Sequence, residues 1–128
     1  MPKKILIIDD EPEICSMVTE FLIDAGYAAF YALNGPEGLS MIEKNLPDLL
    51  LLDIGMPGMD GLELMREVHE KYPSLSVIVL TGHKDTDTVK RMLEYGVCEY
   101  LTKPINLETL LDQFVRDIIG PPQASSKK

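Results

Sequence analysis

The chain has 128 residues, 45% of them hydrophobic and 26% charged, with a formal net charge of −9; this length suits one compact domain, and the apolar content rules out disorder by low hydrophobicity. The acidic balance argues against a sequence-independent grip on nucleic acid, which needs clustered Lys and Arg, so no direct nucleic-acid binding is expected. Cys15 and Cys98 form no CxxC or Cys/His pattern; a disulfide framework or zinc site is therefore not expected, and both read as reduced, buried packing residues.

The N-terminus, MPKKILIIDDEPE, places four apolar residues between two lysines and the first acids. That run is too short for a signal-peptide core or a membrane span, so a cytoplasmic protein without membrane contact is expected. ILII at 5–8 predicts the first strand, and its lack of alternation suits a parallel strand covered on both faces. Ile14, Met17, Val18, Phe21 and Leu22 then follow helical spacing, with Pro12 where a first turn tolerates it and Gly26 as the stop. YAAFYA at 27–32 predicts a second, softer strand with the look of an edge. A second helix opens at Asn34, Gly35 and Pro36, turns Leu39, Ile42 and Leu46 inward, and stops before Pro47. LLLL at 49–52 predicts the third strand. The third helix opens at Asp60-Gly61 and buries Leu62, Met65 and Val68 before Pro73. LSVIVL at 75–80 is the fourth strand, and a helix from about Asp85 turns Val89, Met92 and Leu93 inward before Gly96. VCEYL at 97–101 is the fifth strand, and the last helix spans Leu107 to Ile119. The remaining GPPQASSKK has linker composition, which divides the chain into a domain at 1–119 and a tail at 120–128.

Strands alternating with helices of this length imply βαβ units and a parallel sheet covered on both faces, an α/β doubly wound fold. Such sheets bind ligands beyond the carboxyl ends of their strands. Strand one exits into Asp9 and Asp10, strand three into Asp53, strand four into Thr81, and strand five, by way of Tyr100, into Lys103. Three carboxylates gathered there would repel by roughly 3 kcal/mol per pair at about 5 Å and an effective dielectric near 20. Lys103 offsets one charge, and a hard divalent cation with oxygen ligands, Mg²⁺, offsets two. This is the outline of a phosphoryl-transfer site, with one carboxylate as nucleophile and Mg²⁺, Lys103 and the Thr81 hydroxyl facing the phosphoryl oxygens. Each residue alone has a plainer reading. Asp9 and Asp10 suit a helix N-cap and first-turn acid, Asp53 and Asp60-Gly61 suit turns, Thr81 suits a strand end, and Lys103 suits a solvated loop. Their convergence on one sheet edge favours the functional reading.

The stretches IDDEPEI, LLDIGMPGMDG, VLTG and EYLTKPIN, in this order and spacing over about residues 3 to 119, resemble the receiver domain of bacterial response regulators. The resemblance implies a five-stranded flavodoxin-like sheet of order 2-1-3-4-5. It implies Asp53 as phosphoacceptor, Asp10 as a direct Mg²⁺ ligand, Asp9 as an acid holding the metal through water, and the Gly55 carbonyl as a further ligand. Thr81 and Lys103 would bind the phosphoryl oxygens, Tyr100 would turn inward on phosphorylation, and Pro104 would follow a cis peptide bond. Gly55 and His83 stand where the family varies and bear on the lifetime of the phosphorylated state; Gly82 stands where it often carries alanine or serine. His83 and His69 read as solvated. The partners implied are a histidine kinase or phosphotransfer domain, and downstream an output domain or partner protein engaged through a switching α4-β5-α5 surface, with a phosphorylation-dependent homodimer among the options. No output domain is present, so the chain reads either as a stand-alone regulator or as the receiver of a longer regulator or hybrid kinase. A metal-dependent phosphatase acting on an external substrate would need a second aspartate two residues past Asp53, where Gly55 stands. A flavodoxin-like cofactor binder would need Gly, Ser or Thr where strand one exits into acids.

Overall fold

The computed structural model describes residues 2–55, 61–82 and 86–122, without the side chains of 62 and 86–89. Asp60, His83 and Asp85 lie outside the described residues. The elements are β1 (Lys4–Ile8), α1 (Pro12–Asp24), β2 (Ala28–Ala32), α2 (Gly35–Asn45), β3 (Leu49–Asp53), α3 (Gly61–Lys71), β4 (Ser76–Thr81), α4 (Thr86–Glu94), β5 (Glu99–Thr102), α5 (Leu107–Thr109), a π-helical stretch (Leu110–Val115) and α6 (Arg116–Ile119). The sheet has five strands in the order β2-β1-β3-β4-β5, all neighbours parallel, so β2 is an edge as its softer sequence suggests.

The unbroken apolar runs of β1 and β3 follow from this order. Successive strand side chains point to opposite faces, and both faces are covered. Leu50 and Leu52 join Leu6, Ile8, Val77 and Val79 in one core with Ile42, Met65, Val68 and Met92 from α2, α3 and α4. Leu49 and Leu51 join Ile5, Ile7, Ile78 and Leu80 in the other, with Cys15, Val18 and Leu22 from α1 and Leu110, Leu111 and Val115 from the last helix. α2 approaches β1 closely at Gly38, where a Cβ would collide with Ile8 Cδ1. Asn34 caps α2 by accepting the Glu37 amide at 2.8 Å.

Leu51 lies in register with Ile7 on one side and Ile78 on the other, and it is fully buried. Leu51→Ala should therefore cost about 2–5 kcal/mol, a large share of the roughly 5–15 kcal/mol typical of a domain. Urea unfolding should show a lowered midpoint at an unchanged m-value. A loss below about 1 kcal/mol would mean that β3 is not central to the core.

Several sequence expectations are corrected. Leu46 lies beyond the last residue of α2; it adopts the left-handed conformation (φ 47°) as the C-cap and is exposed. Helical periodicity therefore no longer governs where it points. Leu93 is also exposed, because Met92 carries the inward stripe of α4 and its neighbour is turned about 100° away. Cys98 is exposed in the approach to β5, whereas Cys15 is buried. β5 begins at Glu99 rather than at Val97, which is buried just before it. The last helix is interrupted by six residues of π-helix, Leu110–Val115, which the α-like spacing of its apolar residues does not signal.

At the N-terminal end of the sheet the chain is clasped. The Lys3 amide donates to the Pro122 carbonyl at 2.7 Å, and the Tyr27 hydroxyl donates to the Gly120 carbonyl at 2.7 Å. Gly26, at φ +103°, closes against the Pro122 ring, where a Cβ would sit 2.9 Å from Pro122 Cγ. No helix among the described residues is long and apolar enough to cross a membrane.

Candidate functional site

The opposite end of the sheet brings together the exits of β1, β3, β4 and β5. Ile8 pairs with Leu52, Asp53 with Leu80, and Thr81 with Thr102, so the residues that follow β1 and β5 and those that end β3 and β4 share one edge. Asp9 is fully buried, at 0% exposure, and Asp53 is at 4%. Lys103 reaches between them: its Nζ donates to Asp9 Oδ2 at 3.0 Å and to Asp53 Oδ2 at 3.0 Å. Backbone amides hold the other two carboxylate oxygens, Glu11 N donating to Asp9 Oδ1 at 3.0 Å and Gly55 N to Asp53 Oδ1 at 2.8 Å. The Lys103 amide donates to the Thr81 carbonyl at 2.8 Å, which fixes the lysine backbone to the end of β4.

The plain and the functional readings of Asp9 both hold. Its bond to the Glu11 amide is a local turn contact, yet its second oxygen is bound to a lysine 94 positions along the chain. The N-cap of α1 is Glu11 rather than either aspartate, and the Glu11 side chain makes no capping bond. Burial raises the Asp9 carboxyl above its ordinary value and the nearby Asp53 charge adds to this, while the Glu11 amide and Lys103 oppose them. Burial pulls Lys103 down, but its hydrogen bonds to Asp53 and Asp9 and their charges outweigh that effect, so the ammonium stays charged. Cys15 is pushed up to about 12, chiefly by burial with Asp9 adding to it. Its neutral thiol donates to the Asp9 carbonyl oxygen at 3.3 Å.

Asp9, Asp10, Glu11 and Asp53 each offer a carboxylate oxygen, and these oxygens lie within 4.8 Å of one another. Lys103 pairs with three of them, Asp9, Glu11 and Asp53. An all-oxygen set, half buried at Asp9 and Asp53 and half exposed at Asp10 and Glu11, fits Mg²⁺, which takes one or two carboxylates and keeps several waters. Gly55 is exposed and already tied to Asp53 through its amide. Thr81 is buried at the end of β4. Tyr100 stands outside the acid cluster; it pairs with Val79 and packs, half-buried, on the core beneath α3 and α4. The Lys103–Pro104 peptide bond is cis. Gly82 is exposed, with nothing near the position a Cβ would take. His69 is exposed on α3. Sequence reasoning missed Glu11, whose Oε1 lies 3.4 Å from Lys103 Nζ; the signal was the third acid of the run DDE. It also missed the thiol of Cys15, for which the sequence holds no signal.

The family model for the response regulator receiver domain matches residues 5–115. The chain is 34% identical over 112 residues to sporulation initiation phosphotransferase F of Bacillus subtilis, covering 88% of this chain and 90% of that protein. It is 36% identical over 102 residues to the DNA-binding transcriptional regulator NtrC of Escherichia coli, covering 80% of this chain but only 22% of that protein. Among solved structures, a CheY-like receiver domain protein from Methanospirillum hungatei superposes with a TM-score of 0.87 at 32% identity, covering 92% of this chain and 94% of that one.

Proposed function

The chain belongs to the response regulator receiver domain family of two-component systems, and from that premise we propose that Asp53 accepts a phosphoryl group from a histidine kinase or phosphotransfer domain, with Mg²⁺ held beside it by Asp9, Asp10, Asp53 and the Gly55 carbonyl. Receiver domains are signalling switches that work with histidine kinases and output domains. The observation that carries the assignment is the Lys103 ammonium 3.0 Å from both Asp53 and Asp9, a fixed positive charge beside the nucleophile.

In the proposed reaction an Asp53 carboxylate oxygen attacks phosphorus in line. The bond to the donor's nitrogen or acyl oxygen breaks, and the donor leaves with that electron pair. Lys103 and the Thr81 hydroxyl then hold the phosphoryl oxygens, where negative charge has grown. Bound by Asp9, Asp10, Asp53 and the Gly55 carbonyl, Mg²⁺ would supply further positive charge to offset the charge of the phosphoryl group. Movement of Thr81 toward the phosphoryl group opens space that Tyr100 takes up, altering the surface of α4, β5 and α5 toward a partner. Loss of the phosphoryl group is by hydrolysis at the same site, with no external substrate. Residues 1–119 form the receiver in this reading and 120–128 its tail. Incubation with Mg²⁺ and acetyl phosphate should add one phosphoryl mass that hydroxylamine removes; a protein that gains no mass would sink the reading.

The metal assignment has its own expected result. Saturating Mg²⁺ should raise the melting temperature, since a ligand at a hundred times its Kd adds about 2.7 kcal/mol to stability. Asp10 is exposed and stands outside the Lys103 hydrogen bonds, so Asp10→Ala should fold normally yet lose most of that increment. An undiminished increment would put the metal elsewhere.

A further inference from the structure

We propose that Glu11 is a positioning residue that holds Lys103 at the mouth of the site and so disfavours small, highly charged phosphodonors; this rests on Asp53 being the phosphoacceptor. An ammonium has three N–H donors, and Lys103 has three carboxylate partners: Asp9 Oδ2 at 3.0 Å, Asp53 Oδ2 at 3.0 Å and Glu11 Oε1 at 3.4 Å. The first two are buried, and backbone amides pin their second oxygens. The third is not. Glu11 is 57% exposed in its side chain, makes no helix-capping bond, and gives the longest of the three contacts. An incoming phosphoryl oxygen that claims one of the lysine's N–H groups therefore displaces Glu11, because Asp9 and Asp53 are fixed. The displaced carboxylate remains at the mouth and repels the donor in proportion to its charge. Phosphorylation here thus includes an exchange of anions on Lys103, with Glu11 as the anion released.

The test uses full-length protein at saturating Mg²⁺ and two probes: acetyl phosphate, and phosphoramidate, whose protonated nitrogen offsets one phosphoryl charge. Transfer from either probe forms the Asp53 oxygen–phosphorus bond as the bond to acetate or to ammonia breaks. Glu11→Gln keeps the amide that holds Asp9 and removes only the charge. It should lower KM for acetyl phosphate about two- to fivefold, the scale of an exposed ion pair, with a smaller gain for phosphoramidate and little change in maximal rate. The gain should shrink as added salt screens exposed charge. Glu11→Asp, which restores the charge, should return KM toward wild type. Calorimetry without phosphodonor should show Mg²⁺ binding weakened in Glu11→Gln, since one of four clustered carboxylates is neutralised. A wild-type protein labelled by neither probe would overturn the phosphoacceptor reading itself. Normal wild-type labelling with an unchanged KM in Glu11→Gln would overturn the role of Glu11 alone.

Discussion

Asp53→Ala is expected to take up no phosphoryl group from acetyl phosphate in Mg²⁺, a loss of about three orders of magnitude or more, the scale of deleting a nucleophile. The other acids cannot readily replace it. Asp9 is fully buried with one oxygen on the Glu11 amide and the other on Lys103. Asp10 and Glu11 are exposed and lack a comparable buried position beside the ammonium. The loss should not reflect unfolding. The Asp53 charge raises the Asp9 carboxyl, so its removal relieves a repulsion as it takes away the bonds from Lys103 and the Gly55 amide; Lys103 keeps Asp9 as a partner, and the variant should remain folded without Mg²⁺. Intact-mass spectrometry and a thermal melt on the same samples separate the two effects. Full labelling of a folded Asp53→Ala protein would refute the assignment.

Thr81→Ala should give the opposite pattern, a protein that is phosphorylated but does not switch. The Lys103 amide is held by the Thr81 carbonyl rather than by its side chain, so alanine leaves the lysine, Asp53 and Asp9 in place. What is lost is the hydroxyl that the phosphoryl oxygens attract. A hydrogen bond to a charged group is worth about 1.5–3 kcal/mol, and moving a population from 1:99 to 99:1 takes about 5.5 kcal/mol. One hydroxyl thus carries a large part of the switching energy, and its removal should cut the switched-to-resting ratio about ten- to hundredfold. Backbone NMR with beryllofluoride as the phosphoryl analogue reads this directly. Wild type should shift widely over residues 86 to 101, while Thr81→Ala should shift only around Asp10, Asp53 and Lys103. Equal shifts over 86 to 101 in both proteins would mean that Tyr100 is coupled to the site by another route.

Much of this arrangement was legible because two periodic signals and one rule of topology sufficed. ILII and LLLL announced strands buried on both faces, and the placement of ligands at strand exits turned a linear list, Asp9, Asp10, Asp53, Thr81 and Lys103, into neighbours. The errors fall where periodicity stops. Helical spacing predicts that Leu46 and Leu93 turn inward, but one lies past its helix and the other beside the buried stripe rather than on it. The π-helical stretch preserves an apolar pattern that an α-helix would also show. Glu11 and Cys15 escaped notice for another reason: each acts through a contact set by a loop, 3.4 Å to Lys103 and 3.3 Å to a backbone carbonyl, and no spacing rule reports loop conformation.

The clasp of Lys3 and Tyr27 on Pro122 and Gly120 gives the molecule two poles with separate traffic. Asp53 ends β3 after five residues of strand, and at about 3.3 Å per residue this puts roughly 16 Å of sheet between the acidic mouth and the level of the clasp. Pro122 therefore lies at the far pole. A bulky phosphodonor can dock over the mouth without meeting the clasp. Conversely, a load pulling on that end strains Tyr27 and Lys3 first, and leaves the carboxylates and their lysine undisturbed.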